Sequence, residues 1–178
     1  MGIFHRYSST IHGNYRKAYL RCGLLLGAVL ALYIVGRILG GIEASSPVSY
    51  VTDIALVVLV ILFTAHYRRS LPDRSITLKE AMLFGMGTSV VAAVLYALAV
   101  WVIGLLVPSQ TVLFTATLSG QSITEQDPQL HYWAAFWAIL SFVDIALLGS
   151  FAAFVAAIIL RNEKSPVFKS QDRDKQNS

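Results

Sequence analysis

The sequence predicts an all-α integral membrane protein, a single domain of four helices arranged as two in–out–out–in hairpins with both termini cytoplasmic. Three observations carry this. The first is composition: 56% of the 178 residues are hydrophobic and only 13% are charged, with a mean hydropathy of +0.62. A soluble domain carries about 25% charged residues, so this chain lacks the polar surface to cover itself in water. The second is a set of four apolar runs, at about 20–42, 48–67, 81–107 and 133–160. Each exceeds the roughly 18 residues needed to cross a hydrocarbon core. The third is where the charge falls. Of the fourteen Lys and Arg, all but Arg37 lie before or at the very start of the first run, between the second and third, or after the fourth. The other two loops carry only Glu43, Glu125 and Asp127. Short basic loops stay cytoplasmic. The net charge of +4 therefore marks orientation, with loose attraction to anionic headgroups, and does not call for nucleic acid.

The elements follow in order. Residues 1–19, "MGIFHRYSSTIHGNYRKAY", mix aromatic and basic side chains, which suits a cytoplasmic tail lying along the headgroups; a disordered tail is the other reading. Helix one spans about 20–42 and holds Cys22. As the only cysteine it allows no intramolecular disulfide or cysteine metal cluster. A cleaved leader ending near "EASS" is disfavoured by the long polar lead and by Arg37. Helix two, about 48–67, opens at "SSPVSY" with Ser46 as N-cap and Pro47 at the first position. Helix three, about 79–107, opens at "ITLKE", a capping box of Thr77 and Glu80. Helix four, about 128–161, opens at "DPQLHYW", with Asp127 as cap, Pro128 first, and Tyr132 and Trp133 at headgroup level.

The external loop 108–132 is long for a structureless connection. Its stretch "TVLFTATLSGQ" alternates apolar residues in a way that suits a short strand or a segment on the membrane surface. The reading adopted is a cover over the outer mouth of the bundle. Residues 162–178 are polar and aperiodic, as in a disordered tail.

Small residues recur at steps of four: Gly23, Gly27 and Ala31; Gly85, Ser89, Ala93 and Ala97; Gly149, Ala153 and Ala157. Such faces let helix backbones approach closely in lipid, and packing within the bundle is the expected use. "DIAL" occurs at 53–56 and again at 144–147, which leaves an internal duplication of the hairpin open.

The chain resembles a known family at several of these points. A basic tail leads into "CGLLLGAVLALYIV", helix two ends in "HYRRS", "ITLKEAMLFGMGTSVVAAVLYAL" follows a short turn, and the last helix closes with "GSFAAFVAAIILRNEK". Together these resemble the bacterial membrane family filed as domain of unknown function 4199. Thr77, Glu80, Ala81 and Gly85 occupy the positions with which that family opens its third helix. The likeness covers roughly residues 18–165 and implies a four-helix, multi-pass protein of the bacterial inner (plasma) membrane. The family supplies no catalytic residues.

Charges inside the spans are the candidate functional groups, since an embedded ionisable residue costs about 2.5–3.5 kcal/mol on insertion scales. At 1.5 Å per residue, Asp144 lies about 16 Å below the outer boundary near Trp133. Arg37 and Asp53 lie about 7–9 Å below it, close enough to pair. With Tyr33 and Tyr96 near the midplane, depth predicts a buried polar cluster of Arg37, Asp53, Asp144, Tyr33 and Tyr96. An enzyme would need a nucleophile, a base and oxyanion donors converging. No motif supplies them, and none points to a metal or cofactor. The function predicted is therefore a structural or accessory subunit of a membrane complex, working in the lipid bilayer with a membrane-protein partner or as a homo-oligomer. The alternative is an oligomeric small transporter or proton-coupled channel using Asp144.

Overall fold

A computed structural model of the chain describes residues 3–40, 50–71, 76–120 and 123–160. The expectations for Ser46, Pro47 and the tail 162–178 lie outside the described residues. Within them the chain forms five helices and no strand: α1 (Ile3–Leu39), α2 (Tyr50–Ser70), α3 (Leu78–Leu106), α4 (Pro108–Ser119) and α5 (Leu130–Leu160). Four stretches, Tyr15–Leu39 within α1 and the whole of α2, α3 and α5, are long and apolar enough to cross a membrane. The all-α bundle read from the sequence is the fold observed.

Local chemistry sets the helix starts. The Thr77 Oγ1 accepts from the Glu80 N–H at 3.2 Å, and a Glu80 carboxylate oxygen accepts from the Thr77 N–H at 3.1 Å. This is the reciprocal capping box. Ahead of α5, the Asp127 carboxylate accepts from the Gln129 N–H at 2.8 Å, the bond an N-cap makes two residues on.

Two elements differ from the expectation. α1 is helical from Ile3, well before position 20. Once the apolar part has nucleated a helix, each further residue adds a hydrogen bond at little cost, so the polar lead continues it. Residues 108–119 form a helix and not a strand. Pro108 occupies the first position, where its missing N–H is no loss. Gly120 closes the helix with φ +68°, a conformation glycine adopts without strain.

The helices pack through the small-residue faces. A Cβ placed on Gly85 would come within 2.5 Å of the Ala153 Cβ, one on Gly149 would strike the Ser89 side chain, and one on Gly104 would lie 3.0 Å from the Ala134 Cβ. These pairs advance by equal steps in opposite directions, so α3 and α5 run antiparallel along one continuous seam. α1 lies parallel to α3 on another side, where a Cβ on Gly23 would lie 2.6 Å from the Val91 Cβ and one on Gly27 would lie 2.8 Å from the Leu95 Cβ. α2 leans chiefly on α5 and touches α1 and α3 only lightly. The two halves that share "DIAL" are thus packed differently: α3 and α5 are joined along their length, α1 and α2 are splayed. The splay leaves a lateral gap.

The core between the helices holds Leu26, Leu30, Leu56, Val60, Ala93 and Ile145. Below it, at the end where α2 finishes and α3 begins, Tyr67 stacks on Phe84 with centroids 4.3 Å apart and planes 10° apart. Tyr15 stands edge-on to both, at 5.9 and 6.3 Å. Offset and edge-to-face pairs of this kind add to burial, and they close this aromatic end. The opposite end carries α4.

Candidate functional site

Toward the α4 end, residues of α1, α2, α3 and α5 together line a cavity of about 570 Å³, and the exposed members of that lining lie on α2 and α5. Arg37, Asp53, Tyr96, Trp137, Ser141 and Asp144 line it. Helix periodicity explains how each arrives there. On α1, Leu26, Leu30, Ile34 and Arg37 follow at steps of four, four and three, all buried. Arg37 therefore extends the core stripe of its helix and is only 9% exposed. On α2 the buried face is Thr52, Leu56, Val60 and Thr64; Asp53 follows Thr52 at the edge of that stripe and is half-buried. On α5, Asp144 immediately precedes the buried Ile145 and is likewise turned about 100° off the core face.

Tyr96 is the hub. Its phenol lies within electrostatic reach of Arg37, Asp53, Asp144 and Tyr33, and Asp53 also senses Asp144. Of the five residues named from depth, Arg37, Asp53, Tyr96 and Asp144 line one cavity; Tyr33 is not in its lining and lies within electrostatic reach of Tyr96. They do not form the closed, buried cluster expected. Arg37 alone is buried, Asp53, Tyr33 and Tyr96 are half-buried, and Asp144 is exposed. Depth along a helix says nothing about angle around it, and Asp144 lies on the outward side of α5.

The attachment of α4 beside the site was not read from the sequence. The Trp137 indole N–H donates to the Thr115 hydroxyl at 3.0 Å, the Thr115 hydroxyl donates to the Thr111 carbonyl at 2.8 Å, and the Thr111 hydroxyl donates to the Gly104 carbonyl at 3.0 Å. One relay thus ties α4 to both α3 and α5. Trp137 is 8% exposed and forms cavity wall as well. Thr111 and Thr115 follow at an interval of four, a signal masked by the alternating apolar residues around them. The aromatic contacts of Tyr15, Tyr67 and Phe84 were equally invisible, because those residues are scattered over three helices.

Chemically, the cavity offers one guanidinium, two carboxylates, phenols and a hydroxyl inside otherwise apolar walls. It can hold a cation against Asp53 and Asp144 or a polar group against Arg37 and Tyr96. At the aromatic end, the packed rings and the Ile76, Ala81 and Ala157 cluster close the bundle, so the cavity has access from one end and one side. No family model, curated protein or solved structure matches the chain. The resemblance to the family of unknown function 4199 rests on the sequence motifs quoted above.

Proposed function

We propose that this chain is a multi-pass bacterial inner-membrane protein, with both termini cytoplasmic, that serves as an accessory subunit of a membrane complex and is not itself an enzyme. The observation that carries the reading is the exposure of Asp144. It stands fourteen residues into a helix of thirty-one, about 21 Å from the helix start. In a bilayer that depth is hydrocarbon, and embedded carboxylates face protein or water there rather than lipid. A neighbouring protein covering the α2–α5 opening removes the conflict. The family resemblance is consistent with this reading and adds the bacterial membrane.

The test is purification of a tagged copy in mild detergent. A stoichiometric membrane-protein partner is the expected result; a chain that purifies alone, as a monomer, rejects the reading. The cavity itself favours a second reading, transport with Asp144 as the protonatable carrier. That reading requires an oligomer, because the aromatic end closes the path within one chain. It predicts a flux driven by a pH gradient in proteoliposomes that disappears in a stable Asp144→Asn protein.

A further inference from the structure

We infer that the α2–α5 opening is a docking site for a single transmembrane helix of a different protein, one that carries a Lys or Arg level with Asp144. The inference rests on the accessory-subunit reading and adds the chemistry of the partner.

The first argument is direction. Leu140, Val143 and Leu147 of α5 and Tyr50 of α2 line the cavity, and all four are exposed on the outside of the bundle. Ile34 and Arg37 of α1 and Tyr96 and Val100 of α3 stand behind them. The mouth therefore faces sideways, along the membrane plane, and what enters it is itself held in the membrane.

The second argument is charge. Arg37, even with its whole charge directed at the cavity, balances one carboxylate of two. The remaining negative charge sits in a low-dielectric setting where an opposite charge is worth most and a lone one costs most. Complementary charge across an interface also fixes which partner binds and in what register. The cation cannot come from a second copy of this chain. Among the described residues Arg37 is the only Lys or Arg away from the aromatic end. It is buried on α1, behind the cavity and away from the α2–α5 face. A copy of the same orientation would present Asp144 beside Asp144.

The third argument is shape. Above and below Asp144, α5 continues the rim with exposed apolar side chains at helical spacing: Leu140, Val143, Leu147 and Phe151. α2 and α5 bound a recess that a third helix can cover. A Lys or Arg stem is long and apolar, so it can cross this rim and place its charge between Asp53 and Asp144.

The experiment uses the full chain in phosphatidylcholine vesicles and a dansyl-labelled polyleucine helix of about 20 residues with one lysine at its centre. Energy transfer from Trp137, in the cavity wall, reports association in a Trp101→Phe, Trp133→Phe background. The lysine helix is expected to associate at least about tenfold more tightly than its all-leucine counterpart. Asp144→Asn, which removes the charge and keeps the shape, should reduce it to the all-leucine level, with Asp53→Asn intermediate and monodisperse gel filtration as the folding control. Equal association of the two helices overturns the proposal, and so does unchanged binding to Asp144→Asn. The two readings fail separately. If the tagged chain retains a stoichiometric native partner and still retains it as Asp144→Leu, the docking site is wrong and the accessory role stands. If no partner co-purifies, the accessory role falls whatever the peptide does.

Discussion

At the scale of single residues, two embedded charges are expected to behave in opposite ways. Arg37 is buried and lines one cavity with two carboxylates and a phenol, so Arg37→Leu leaves that cavity without its cation and should lower the folded yield. Adding Asp53→Leu removes one of the stranded carboxylates and should restore much of the folded yield. If the double variant is expressed no better than either single one, Arg37 and Asp53 are not the pair proposed. Asp144 stands at the rim, and its replacement disturbs little within the purified chain: Asp144→Asn and Asp144→Leu should both melt close to the parent in detergent. A large drop for either would mean that Asp144 turns inward. The glycines offer an equally sharp contrast. Gly85→Val forces side-chain atoms into Ala153, with an overpacking cost of about 1–3 kcal/mol. Gly36→Ala meets nothing within 4 Å and should be neutral or slightly stabilising, because it removes backbone freedom from the unfolded chain. Thermal unfolding of the pair in one detergent checks both signs.

At the scale of elements, the four long helices were legible because the bilayer's thickness imposes a length that no soluble element needs, and the capping chemistry at Thr77 and Asp127 marked two starts. α4 was not legible. Its residues 111–118 alternate in polarity as a strand would, and the bonds that fix the helix on its neighbours reach Gly104 and Trp137, outside any local window. The site was legible by half for the same reason. Depth is a one-dimensional quantity and places Arg37, Asp53 and Asp144 near one another; which helices touch depends on α2 leaning on α5, and no residue of α2 announces that. The α4 relay can be tested through its weakest-looking member. Trp137→Phe keeps the ring in the cavity wall and deletes the indole donor to Thr115, a loss of about 1 kcal/mol. Proteolysis should then cut within 108–120 faster than in the parent, while the long helices melt almost unchanged. Equal cutting rates would show that α4 is held by apolar contact alone.

At the scale of the whole molecule, charge asymmetry and helix direction make a joint prediction. The proposed topology, read from the charge asymmetry of the sequence, predicts that Ser119→Cys reacts with an impermeant thiol reagent in intact cells and Ser170→Cys does not, both in a Cys22→Ser background. Labelling of the position near the C-terminus would invert the topology. The seam between α3 and α5 has a further consequence, for the order in which the chain becomes a protein. A ribosome delivers α5 last, yet α5 is the helix on which both α2 and α3 rest, so a nascent chain that has emitted three spans can assemble only α1 with α3. Until residues 130–160 leave the exit tunnel, Gly85, Ser89 and Ala93 lie open to whatever else the insertion machinery holds. Synthesis of this protein therefore has a vulnerable interval set by the translation time of its last helix. A stop codon placed before position 130 should yield not a smaller bundle but a short-lived fragment, cleared by membrane proteases within a pulse-chase in which the full chain persists.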